Sequence, residues 1–214
     1  SLDASVVAVN YYITKDNGSI FFFAGAKAPG VNITISQPAD QFSRPLKDLH
    51  GDAPYPFICI DHFNGRTIYA SGNFLFFSDP FIPERVDLTK SYIPFNDKVT
   101  MIGVVDDGIF VGTEREIIYM DGNSLDNFSS IQVAPYGVVH NTRSYIDSTV
   151  VGEDSTITKK IPAWISLKGV CIGFPDGSMQ NTTENTVTLP EGTTGASFFR
   201  QENGQNHFIS VIRS

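Results

Sequence analysis

The chain has 214 residues, with 15 Lys and Arg against 23 Asp and Glu and a formal net charge of −8. That balance describes one soluble, mildly acidic domain or a compact array of small repeats. It speaks against a duplex nucleic-acid surface, because the few basic residues are scattered and the only doublet is Lys159-Lys160. The longest apolar run, Ile20 to Ala24, has five residues, far short of the roughly 18 to 20 that cross a bilayer as a helix.

Cys59 and Cys171 both sit in apolar runs and are expected to behave as small buried hydrophobes, too few for a disulfide framework or a four-cysteine zinc site. The first residues lack the basic and apolar regions of a signal peptide, which fits cytoplasmic synthesis or a chain that starts inside a longer protein.

The backbone preference is plain. There are 21 Ile, 17 Val and 16 Thr, against only 8 Leu and 11 Ala. Side chains branched at Cβ lose rotamers against a helical turn and pack well on a pleated surface, so the composition predicts an all-β chain. Eighteen Gly and twelve Pro supply its turns.

In chain order, the amino-terminal region offers strands over Ser5 to Val9, Ser19 to Phe23 and Asn32 to Ser36, then a loop from Pro38 to His50 with room for one helical turn before Pro45 interrupts it. A hairpin phrase then recurs four times. It runs from Gly65 to Ser78, from Asp107 to Met120, from Pro162 to Gly173 and from Ala196 to Val211.

Aligned on Ile68, Ile109, Ala163 and Ala196, the phrases lie 41, 54 and 33 residues apart. Their mean of about 43 is the length of a four-stranded propeller blade. Strands are expected before the first three hairpins, at Phe57 to Asp61, Thr100 to Val105 and Ser148 to Val151, and outer strands at Ser129 to Val133 and Thr186 to Leu189. A four-stranded sheet that is apolar on both faces can hide them only between neighbours, as stacking around an axis does. The expected fold is therefore a single β-propeller-like domain over 1–214. It has five blades of three to four antiparallel strands, near 1–50, 51–95, 96–145, 146–190 and 191–214, closed by a terminal strand. A β-sandwich or barrel is the alternative.

Residues with reactive chemistry read mainly as turn residues. His50 and Asp52 with Asp61 and His62 offer imidazoles and carboxylates but no metal-binding spacing. Asp106, Asp107, Glu114 and Glu116 could act as paired acids on a glycoside only if held about 5 to 9 Å apart in a groove, whereas Asp107-Gly108 and Asp121-Gly122 are ordinary turn dipeptides. His140 and His207 read as structural. No nucleophile elbow, phosphate loop, dinucleotide fingerprint or His-Glu-x-x-His helix is present. The sequence therefore names no catalytic residue, metal site or cofactor. Its structural or interface candidates are the single tryptophan Trp164, expected as a buried anchor between blades, with Tyr69, Tyr119, Tyr136, Phe76, Phe110 and Phe199.

Three phrases stand out together. The first is Asn73-Phe74-Leu75-Phe76-Phe77-Ser78-Asp79-Pro80-Phe81-Ile82-Pro83-Glu84. The second runs from Val105 to Glu114, with Ile117, Tyr119 and Gly122 following. The third group is Val133-Ala134-Pro135-Tyr136-Gly137, Trp164 to Gly169 and Phe199 to Gly204. This ordered set, spanning approximately Gly65 to Ser214, resembles a family of tailed-bacteriophage and prophage virion proteins, tail-associated and loosely described.

The resemblance implies a non-enzymatic structural role, with other virion or tail subunits as partners, a homo-oligomeric ring as the assembly, and the virion as location after synthesis in the bacterial cytoplasm. It implies neither sequence-specific nucleic-acid binding nor membrane insertion, and the chain as a fragment of a longer virion protein. A carbohydrate- or protein-binding propeller module and a polysaccharide hydrolase using acidic loop residues are the competing expectations.

Overall fold

A computed structural model describes residues 6–15, 21–44, 51–152, 159–184, 186 and 194–213. The backbone divides into two compact units, Ser1–Leu49 and His50–Ser214. Regular structure in both is antiparallel β, with only two short 3-10 turns among the described residues. The chain is all-β, as its load of β-branched residues requires. No described helix is long and apolar enough to cross a membrane.

In the first unit, β1 (Val9–Thr14) pairs with β2 (Phe21–Lys27) through a bulge at Tyr11 and Tyr12. Tyr12 meets Phe23 edge to face at 5.8 Å, and the Arg44 guanidinium lies 5.0 Å from the Phe23 ring. The helical turn expected after Pro38 forms at Ala39–Gln41. The strand expected from Asn32 to Ser36 does not form. Val31, Ile33 and Ile35 alternate with polar residues, but no described strand lies alongside to complete a ladder. Ile33 instead rests its Cδ1 over Gly25 of β2, where a Cβ would meet it at 2.7 Å. Ser5, Ser19 and Ile20 lie outside the described residues.

The larger unit begins with β3 (Gly51–Asp52), β4 (Cys59–Phe63), β5 (Arg66–Ser71), β6 (Phe74–Asp79), β7 (Ile82–Val86) and β8 (Tyr92–Pro94). They form one sheet in the order β3-β7-β6-β5-β4, with β8 also on β6. Next, β9 (Val99–Val105), β10 (Gly108–Thr113), β11 (Ile117–Asp121) and β12 (Ser129–Ala134) make a four-stranded meander. A second meander follows from β13 (Ser144–Asp147), β14 (Lys160–Ser166), β15 (Gly169–Gly173) and β16 (Met179–Asn181). A long hairpin, β17 (Thr194–Glu202) and β18 (Gln205–Arg213), ends the unit.

The four hairpin phrases thus appear as β5–β6, β10–β11, β14–β15 and β17–β18. Asn64-Gly65, which joins β4 to β5, and Asn203-Gly204, which joins β17 to β18, turn with positive φ at both central residues, 47° and 76° in the first and 51° and 75° in the second. That geometry matches the right-handed twist of the strands it joins.

One strand expectation in this unit shifts. Ser148–Val151 is a 3-10 turn rather than a strand, closed by Gly152 at φ 84°, and the strand lies just before it as β13. The Ser148 N–H donates to Lys159 O at 2.9 Å, and the Ser148 hydroxyl accepts from the Lys159 N–H at 3.2 Å. Among the described residues the outer strand of this sheet is β16; Thr186 is a turn residue, and residues 187–189 of the strand expected over Thr186 to Leu189 lie outside the described residues. At the end of β16 the Asn181 amide donates to Lys168 O, and just beyond it the Thr183 hydroxyl accepts from the Val170 N–H, ending the strand in a local turn.

Period-two alternation sends neighbouring residues of each strand to opposite faces, and the sheets use both. Ile68, Ala70, Leu75 and Phe77 of the first sheet pack with Ile102, Ile109, Val111 and Met120 of the second. The opposite face of the second sheet, with Met101, Phe110, Ile117 and Tyr119, packs with Trp164 and Cys171 of the third. The opposite face of the third, with Ile146, Ile161, Ala163 and Ile172, meets Phe199 and Phe208 of the last hairpin. The seams are tight. A Cβ on Gly173 would lie 2.6 Å from the Phe110 ring, and one on Gly112 would lie 2.5 Å from Val138.

Candidate functional site

Strands β4, β9 and β13 come together around a cleft of about 580 Å³ lined by Asp61, His62, Phe63, Asn64, Val104, Val105, Asp106, Tyr145 and Lys160. Its floor is a network spanning all three sheets. The Tyr145 hydroxyl donates to Asp61 Oδ2 at 2.6 Å and accepts from the Val104 N–H at 2.8 Å. Arg143 ion-pairs with the same carboxylate, donates to Ile60 O at 3.4 Å, and holds its guanidinium 4.9 Å from the Tyr145 ring. The other carboxylate oxygen accepts from the His62 N–H at 2.8 Å.

Asp61 therefore has every oxygen engaged. Burial, and then the Asp61 charge it faces, push the Tyr145 hydroxyl well above the ordinary tyrosine range, so it stays protonated as a donor. Nearby, Cys59 is pushed up to about 12 by burial, against the opposing pull of Arg143. Such a thiol is a poor nucleophile. At the rim, Asp106 pairs with Lys159 at 2.7 Å and Lys160 with Asp147 at 2.5 Å. The chemistry of the cleft is that of a structural clamp joining sheets.

The other sequence candidates fall into separate places. Asp61, His62 and Asp106 share the cleft. Asp107 and Asp121 line a different hollow with Tyr119 and Asp176, and Glu116 accepts from the Gln132 amide at 2.6 Å. His140 lies over a third cavity of about 470 Å³ with Lys98 and Glu114, and its Nε2 has no hydrogen-bond partner among the described residues. Among those residues no three His, Cys, Asp or Glu converge to hold a metal ion. Asp52 is in β3, and His50 lies outside the described residues.

The aromatic candidates divide into two groups and one single residue. Phe110, Tyr119 and Trp164 form one cluster in the seam between the second and third sheets, with Phe110 5.5 Å from Trp164 and 4.9 Å from Tyr119. The indole is fully buried. Tyr119 donates to Pro175 O at 3.0 Å, and Tyr136 packs at the edge of the cluster beneath the Lys168 ammonium, 5.2 Å from its ring. Tyr69 and Phe76 are cross-strand partners on the outer face of the first sheet, where Tyr69 donates to Pro83 O at 2.6 Å. Phe199 stands alone in the last seam.

Sequence reasoning passed over Arg143 and took Tyr145 only as one of several tyrosines for an exposed recognition surface. Arg143 and Tyr145 lie 82 and 84 positions from Asp61, and no local motif announces the contact. No protein-family model matches the chain, and no curated protein matches its sequence.

Proposed function

We propose that this chain is a non-enzymatic structural module of a tailed-bacteriophage or prophage virion, acting as a rigid β scaffold in a tail-associated assembly with other virion or tail subunits. The supporting observation is the use of its polar groups. Asp61, Arg143 and Tyr145, the most buried charged and hydroxyl cluster of the cleft, are all spent on joining sheets rather than turned toward a ligand. Rigid seams between successive sheets suit a part that must hold shape and transmit load.

In this reading each sheet is a propeller blade, five by the sequence count, with β4, β9 and β13 as inner strands. The resemblance of Gly65 to Ser214 to virion proteins supplies the phage context. The deciding experiment is fractionation of phage particles from a host that expresses the tagged full chain. The tag is expected at constant stoichiometry in purified particles. A tag that stays wholly in the free pool overturns the proposal.

A second reading, a glycan-binding module, is favoured by the cleft, where His62, Asn64 and Lys160 line the wall with donors and acceptors. A glycan array separates the two, since binding abolished by His62→Ala supports the module and an array with no signal removes it.

A further inference from the structure

The chain carries three Asn-Gly dipeptides, at Asn17, Asn64 and Asn203, and the first lies outside the described residues. The other two share one local geometry. Each makes a two-residue turn with positive φ at both positions, a conformation that Asn and Gly tolerate best. Their surroundings differ.

At Asn64 the turn is anchored from several directions. The rung beside it pairs Phe63 with Arg66, and Phe63 is buried in the core between the first two sheets. The Asn64 amide donates to Asn123 O at 3.0 Å, and the Arg66 guanidinium donates to Ser78 O at 2.7 Å. Gly65 O accepts from the Phe81 N–H at 2.6 Å, and a Cβ on Gly65 would lie 2.9 Å from the Phe81 ring. Opening this turn means drawing Phe63 out of the core.

At Asn203 the last rung held by apolar packing is Phe199 with Phe208. Beyond it, Arg200 with His207, Gln201 with Asn206 and Glu202 with Gln205 depend on the ladder and on the ion pair of Arg200 with Glu202. Exposed pairs of that kind contribute little. Every residue from Arg200 to Asn206 is exposed, and a Cβ on Gly204 would meet nothing within 4 Å. A hairpin end built this way opens locally at small cost, whereas a turn fixed to the core opens only with it.

We propose that Asn203 is a site of spontaneous deamidation and isomerisation in the folded chain, and that Asn64, with the same dipeptide, is not. In the opened turn the backbone nitrogen of Gly204, unhindered by any side chain, loses its proton to hydroxide and attacks Asn203 Cγ. The N–Cγ bond forms, the Cγ–Nδ2 bond breaks, and the nitrogen leaves as ammonia after taking a proton from water. Water then opens the succinimide at either carbonyl, giving aspartate or isoaspartate. Both products place a negative charge beside Glu202. Isoaspartate also inserts a methylene into the backbone of a two-residue turn, which unzips the rungs beyond Phe199 and Phe208. This chemistry depends on the turn alone and is independent of the scaffold reading.

The test is peptide mapping by mass spectrometry of the full chain held at neutral and at mildly alkaline pH. The peptide containing Asn203 is expected to gain the mass of an amide turned acid about tenfold faster than the peptide containing Asn64. It should appear as two products of one mass and form faster at the higher pH. In denaturant the two sites are expected to react at similar rates, because the dipeptide is the same. Equal rates in the folded chain, a faster Asn64, or an Asn203 that reacts only after denaturation overturns the proposal. Asn203→Gln, whose longer side chain closes the ring poorly, is expected to abolish the mass gain in that peptide. A gain that persists in this variant assigns the reaction to Asn206 and also overturns the proposal.

Discussion

The second sheet and the last hairpin are made of similar strands but have opposite fates. Every residue of β10 is buried, Gly108 to Thr113, while β17 has none that is fully buried. Gly-Ile-Phe-Val-Gly-Thr and Ala-Ser-Phe-Phe-Arg both present apolar residues at neighbouring positions. The difference is what stands across each face. β10 has a sheet on either side, and β17, among the described residues of this unit, has one on a single side. Burial is thus a property of position in the stack, and the energetic weight of a side chain follows from it.

Substitutions should expose this contrast, beginning with the seam between the second and third sheets. Trp164→Ala leaves a cavity against Phe110 and is expected to cost about 3–5 kcal/mol in urea unfolding, whereas Phe198→Ala on the open hairpin face should cost well under that. Equal losses at the two sites would erase the distinction. Gly173→Ala drives a Cβ into the Phe110 ring and should cost about 2–3 kcal/mol, measured the same way.

The clamp beneath the cleft comes next. Asp61→Ala strands Arg143, but the pair keeps some solvent access, 25% for Arg143 and 14% for Asp61, so we expect about 2 kcal/mol, less than a fully buried pair would give. Tyr145→Phe should lose about 1 kcal/mol by leaving the Val104 N–H without its acceptor.

Alkaline pH gives a smaller, graded effect. Burial, then Asp121, Asp107 and Asp176, raise the Tyr119 hydroxyl from 10.0 to about 12. A folded-state value above the unfolded one means the stabilising contribution is complete below pH 10 and disappears as pH climbs through about 12. The melting temperature should hold up to pH 10 and then fall by a few degrees, and Tyr119→Phe should flatten that fall. Ultraviolet absorbance of tyrosinate checks the titration directly. Smallest of all, Val211→Thr should change stability by less than about 0.5 kcal/mol.

Much of the fold was legible because the signals were local. The hairpin phrases at Ile68, Ile109, Ala163 and Ala196 carry their own turns and alternation, and they appear as β5–β6, β10–β11, β14–β15 and β17–β18. The misplacements occurred where a competing local bond decided the outcome, as when Ser148 tied itself to Lys159 and made a turn of Ser148–Val151. Asn32 to Ser36 failed for the complementary reason, since alternation without an adjacent strand satisfies no ladder.

The cleft was half legible. Asp61, His62 and Asp106 stand out in the sequence as polar residues among apolar strands, but nothing near them points to Arg143 or Tyr145.

What the sequence alone determined is the strand chemistry: which residues favour pleated backbone, where the turns fall, and that apolar residues occupy both faces of the central strands. These depend on neighbours a few positions away. Only the tertiary structure decided which faces meet, that Trp164 sits against Phe110, and that Asp61 is neutralised by partners more than eighty residues distant. Those pairings are set by the stacking of whole sheets, and a contact between distant residues leaves no periodic trace in either segment.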